Sequence, residues 1–153
     1  MGQAMFYHLT RSGVVATLQT LLPRALAQGW RVMVRGTDRE GLERIDGRLW
    51  LEPEDGFLPH GLEGGPEDAR QPVLLGLGPA VNAPQAVALI DGADPLPGEE
   101  ALDRLWVIFD GGDEGAVTRA RALWTRLSGS GMTLQYWSEE SGRWAMKTER
   151  KAG

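Results

Sequence analysis

The sequence contains no cysteine, which excludes a disulfide framework, a thiolate nucleophile and thiolate metal ligands. Histidine is almost as scarce: His8 and His60 are the two present, too few for a zinc site, and neither has a serine-nucleophile motif beside it. No catalytic residue, metal or cofactor is therefore expected. No apolar run approaches the roughly 20 residues that a membrane-spanning helix needs, and the first residues lack the basic, apolar and small-residue succession of a signal peptide. A soluble, cytoplasmic protein with no membrane partner is the expectation. Basic residues are outnumbered, 16 against 21 acidic ones, so a net charge of -5 repels phosphate backbones unless a basic face is set apart.

What is present suffices for one domain. With 153 residues, 42% of them hydrophobic, the chain can bury a sizeable core, whereas two domains would be cramped. Charge is unevenly spread: Glu52 to Asp68 hold six acids and no lysine or arginine, while Arg119 to Lys151 hold seven basic residues against three acids. A weak positive patch toward the C-terminus suits an acidic peptide better than a long duplex.

Apolar segments alternate with helical patterns. Met5 to Leu9 reads as a first strand, and Val14, Leu18, Leu21, Leu22 and Leu26 keep helical spacing up to Gly29, with Pro23 set to kink or split that helix. Trp30 to Val34 is a second strand. Thr37 and Glu40 have the spacing of a capping box for a helix from about Asp38 to Trp50. Leu51 to Gln71 is acidic, aperiodic and rich in proline and glycine, which predicts a long surface loop. Within it Phe57 and Leu58, with Trp50 just upstream, either pin the loop down or form a docking surface. Pro72 to Leu77 and Ala86 to Ile90 are further strands, Glu99 to Leu105 a short helix, and Met132 to Trp137 a last strand, with the tail from about residue 148 loose. This alternation predicts a three-layer α/β/α single domain over residues 1–153 with a largely parallel sheet.

The most informative stretch is Val107 to Asp110, a buried strand, followed by the glycines 111 and 112 and a helix through Ser128. At about 100° per residue, Ala116, Ala120, Leu123 and Leu127 share a core-facing arc, and Val117 and Trp124 lie at its edge. Arg121 and Ser128 come next, then Thr125, while Arg119 and Arg126 emerge on the opposite shoulder. An arginine beside a half-buried tryptophan makes a small cationic and apolar site, although the same spacing fits a core indole rimmed by solvated arginines.

Two other readings of these residues are weaker. A strand, a glycine turn and a helix start can hold a nucleotide in an α/β enzyme, but Asp110, Asp113 and Glu114 put carboxylates where a phosphate needs donors, and no P-loop lysine follows. Asp113 is better read as the helix cap, and Asp110 as part of the same turn. Direct binding of single-stranded DNA, with Trp124 or Trp144 as stacking platforms, lacks a continuous basic groove.

Further stretches carry a resemblance: Phe6-Tyr7, Gly29-Trp30-Arg31-Val32, Leu49-Trp50, Phe57-Leu58-Pro59-His60, Pro72-Val73, Phe109-Asp110, Ala120-Arg121 with Trp124, and Tyr136-Trp137. In this order the chain resembles the chi subunit family of bacterial DNA polymerase III. The resemblance implies a Rossmann-like fold and an accessory subunit for DNA replication without polymerase chemistry of its own. It implies attachment to the clamp-loader complex through the psi subunit or another clamp-loader component, and binding of the acidic C-terminal tail of single-stranded-DNA-binding protein. Nucleic acid is then reached only indirectly, and no small-molecule substrate is involved. The implied tail site is Arg121 and Trp124, with Val117, Thr125 and Ser128 around them. The implied partner-subunit surface is Phe57, with Trp50 and Leu58. Where the family often has a lysine after the helix aromatic, Thr125 stands here, so the basic pocket is either weaker or completed by Arg143 or Lys147.

Overall fold

The computed structural model describes residues 2–51 and 58–152. Its strands are β1 (Gln3–Leu9), β2 (Val32–Arg35), β3 (Gly61–Leu62), β4 (Val73–Gly76), β5 (Ala86–Leu89), β6 (Arg104–Asp110), β7 (Thr133–Ser138) and β8 (Ala145–Arg150). The helices are α1 (Val14–Ala27), α2 (Arg39–Leu51) and α3 (Glu114–Leu127). One sheet takes all eight strands in the order β3-β4-β2-β5-β6-β1-β7-β8; every pairing is parallel except β7 with β8.

The sheet is buried on both faces, which is why β2, β4 and β5 read as unbroken apolar runs rather than alternating ones. On one face Leu18, Leu22 and Ala25 of α1 and Leu42 and Leu49 of α2 pack with Val32, Val34, Val73, Leu75 and Ile108. On the other, Ala120, Leu123 and Leu127 of α3 pack with Phe6, Leu105, Val107, Phe109 and Leu134. The result is the three-layer α/β/α arrangement with a mostly parallel sheet. No helix among the described residues is long and apolar enough to cross a membrane.

Local chemistry accounts for the helix ends. Gly29, at φ +80, closes α1: its N–H reaches Leu26 O at 2.9 Å and the N–H of Trp30 reaches Ala25 O at 3.1 Å, the paired bonds of a Schellman motif. Pro23 does not split α1, which runs through it. Asp113 caps α3 by accepting the N–H groups of Gly115 at 2.9 Å and Ala116 at 3.2 Å.

Several expectations are corrected. Thr37 is not the cap of α2: its hydroxyl turns to the Asp91 carboxylate at 2.7 Å, and Asp38 accepts the Gly41 N–H at 3.1 Å instead. The segment Leu51 to Gln71 is not wholly loop, since α2 continues through Leu51, β3 adds to the sheet edge and Asp68–Arg70 form a turn of 3-10 helix. Glu99–Ala101 is likewise one 3-10 turn, and Arg104 and Leu105 already belong to β6. The tail expected to be loose from about residue 148 instead carries β8 as far as Arg150, held to β7 by the pairings Tyr136 with Thr148 and Leu134 with Arg150.

Candidate functional site

The outer surface of α3 meets β7 and β8 in a shallow depression of about 320 Å3, lined by Ala120, Arg121, Trp124, Thr125, Tyr136 and Thr148. Arg121 is exposed and has no ion-pair partner among the described residues. Trp124 is half-buried: its indole packs edge-on against the fully enclosed ring of Phe6 at 5.2 Å and against Tyr136 at 6.2 Å, leaving part of its surface in the depression. An exposed cation thus stands beside a packed aromatic surface.

Of the five residues expected at this site, three line it. Thr125 contributes its side chain, but its hydroxyl reaches back to Arg121 O at 3.2 Å. Val117 does not line the depression and packs into the α3-side core. Ser128 caps the C-terminal end of α3 and gives its hydroxyl to Trp124 O at 2.8 Å. Of the other basic residues considered, Lys147 lies 3.4 Å from the Glu140 carboxylate and Arg126 is 3.3 Å from Asp94, on the far shoulder of α3.

Sequence reasoning did not place Thr148 at this site, nor Tyr136. Tyr136 sits on β7 opposite Phe6 of β1, and its hydroxyl is 2.6 Å from His8 Nδ1. Burial raises the Tyr136 pKa above 10.0, the Arg121 guanidinium pulls it partly back, and Glu140 pushes it up. Gly111 makes this network possible, because a Cβ there would collide with the His8 imidazole. Period-two alternation was the available signal: Leu134 and Tyr136 share the α3 face, between Gln135 and Trp137.

A second surface surrounds the end of α2. Trp50 is 49% exposed and Leu51 74% exposed. Trp50 stacks at 4.2 Å over buried His60, whose Nδ1 lies 2.6 Å from Leu58 O and whose Nε2 lies 3.1 Å from Asp46 O. Leu58 is partly buried against the core, and Phe57 lies outside the described residues.

A cleft of about 480 Å3 opens at the carboxyl ends of β2, β5 and β6, where doubly wound folds bind their ligands. Asp38, Asp91, Asp110 and Asp113 line it with Arg44, Arg48 and Arg119, a net negative set for a phosphate to enter. The turn after β1 is also taken: Glu139 Oε1 accepts the N–H groups of Thr10, Arg11 and Ser12 at 3.1, 2.8 and 2.6 Å, and Oε2 accepts the Ser12 hydroxyl at 2.8 Å. Burial raises the pKa of this carboxyl, but these four hydrogen bonds outweigh it and hold it at about 2. The chain's own carboxylate thus fills the anion position of its first strand-to-helix turn. Among the described residues no group of His, Asp and Glu is arranged to hold a metal ion.

Fold and site together define a Rossmann-like α/β domain with an open aromatic and cationic surface site between its last helix and the sheet edge. Sequence comparison supplies the family: residues 1–135 match the family described as "DNA polymerase III chi subunit, HolC", and the chain belongs to it. A curated relative, "DNA polymerase III subunit chi" of Pseudomonas aeruginosa, is 37% identical over 81 residues. That alignment covers 51% of this chain and 56% of the relative, so the chain spans about half the length of the relative it matches.

Proposed function

We propose that this chain is a non-catalytic accessory subunit of the DNA polymerase III holoenzyme, acting in DNA replication, that links the clamp loader to single-stranded-DNA-binding protein by holding that protein's acidic C-terminal tail. The observation that carries this reading is the Arg121 guanidinium, without an ion-pair partner among the described residues, beside the half-exposed indole of Trp124. A tail that ends in an apolar ring and a free carboxylate matches it in both halves. The ring lies on Trp124 and Tyr136, and the carboxylate takes a forked hydrogen bond from Arg121. Family membership supports the same partner. The exposed Trp50 and Leu51, with Leu58, and with Phe57 beyond the described residues, are the surface we assign to a psi subunit or another clamp-loader component.

Titration of a fluorescent acidic peptide ending in Pro-Phe tests the tail site. Wild type binds with a dissociation constant on the order of micromolar. Arg121→Ala weakens binding roughly ten- to hundred-fold, the loss expected for a charge-assisted bidentate contact. Equal binding by both proteins removes Arg121 from the site.

A further inference from the structure

The match to the family stops at residue 135, yet one wall of the depression comes from beyond it. Residues after Ser138 turn back as β8, and directly opposed residues of an antiparallel pair project to the same face of the sheet. Leu134 packs in the α3-side core, so Arg150, its partner on β8, lies on the α3 face. Thr148, opposite Tyr136, lies on that face too and lines the depression. The intervening Glu149 is turned to the other face, where its carboxylate accepts from Gln135 Nε2 at 2.8 Å. Lys147 falls at the bulge between the Tyr136 and Trp137 pairings and is paired with Glu140. The alternation of this strand therefore delivers one cation toward the site and sends its acid away. Arg150 is exposed and has no hydrogen-bond or ion-pair partner among the described residues.

Resting on the tail-binding reading, we infer that the β8 strand extends the site, with Arg150 as a second cation for the acidic residues that precede the tail's terminal ring and carboxylate. Arg121 holds the end of the peptide. Arg150 lies two residues, roughly 7 Å along the strand, beyond Thr148 and so meets the peptide further up. It supplies charge that Thr125, whose hydroxyl is spent on α3, does not.

The experiment titrates two peptides, the acidic tail and the same tail with its upstream aspartates changed to asparagine, against wild type, Arg150→Ala and Arg121→Ala at low and high salt. Arg150→Ala weakens the acidic peptide about threefold at low salt and leaves the neutralised peptide unchanged, and the difference fades at high salt. Arg121→Ala weakens both peptides. If Arg150→Ala binds the acidic peptide as wild type does while Arg121→Ala fails, the β8 inference falls and the tail site stands. If wild type binds neither peptide, the tail-binding reading falls and this inference with it. Unchanged melting temperatures exclude loss of folding as the cause.

Discussion

At the scale of single residues, the carboxylates do more structural work than their number on the surface implies. Glu139 is 5% exposed and is held by three N–H groups and a hydroxyl, so it is an internal cap for the turn that leads into α1. Its pKa of about 2 lies below the ordinary 4.5, so the stability it adds is complete above about pH 4.5 and is lost as pH falls toward 2. Glu139→Gln keeps the size but not the charge, and costs about 2 kcal/mol at pH 7, the range for hydrogen bonds to a charged group. Urea denaturation at pH 7 and near pH 2 checks this: the gap between variant and wild type is present at pH 7 and closes in acid. Glu139 meets Thr10 to Ser12 across more than 120 positions of chain. Arg35 likewise meets Glu99 in a buried bidentate pair at 2.6 and 2.8 Å, 64 residues apart. Local pattern carries no trace of either contact. Asp113 was legible as a cap because its partners lie two and three residues on, whereas Thr37 was misread because Asp91 competes for its hydroxyl from another loop.

At the scale of elements, legibility followed burial. The core-facing arc of α3, the glycine stop of α1 and the apolar runs of β2, β4, β5 and β6 repeat a period that the fold then uses. β8 (AMKTER) has no apolar period, because an edge strand with mostly exposed side chains is set by its ladder with β7 rather than by its composition. The depression was half legible for the same reason: α3 announced Arg121 and Trp124, while Tyr136 and Thr148 needed the strand order to bring them beside the helix. Pro23 sits exposed in the third turn of α1, where it has no N–H to give the helix ladder. Pro23→Ala restores that bond at the cost of a more flexible unfolded chain, and the net gain is about 1 kcal/mol, read as a rise in melting temperature with tail affinity unchanged.

At the scale of the whole molecule, one α/β sheet separates its strand-end cleft from the depression at its β8 edge. The cleft at the strand ends is lined by four aspartates against three arginines, and the first turn is filled by Glu139, so the turn where related architectures take a phosphate is occupied by the chain's own carboxylate. The depression that carries Arg121 and no carboxylate in its lining lies to the side, between α3 and the β7–β8 edge, in a molecule whose net charge is -5. On the proposed reading an acidic peptide is drawn to Arg121 at that edge, so its association rate falls with salt. The most direct test is an NMR titration of the labelled protein with the acidic tail peptide, following backbone amides and the tryptophan indole N–H signals. With the tail in the depression, the Trp124 indole and the amides of residues 120–125 and 148 move most, saturating together. Shifts that instead gather at Gly36, Thr37 and Gly92 in the strand-end cleft, with the Trp124 indole unmoved, would contradict that placement.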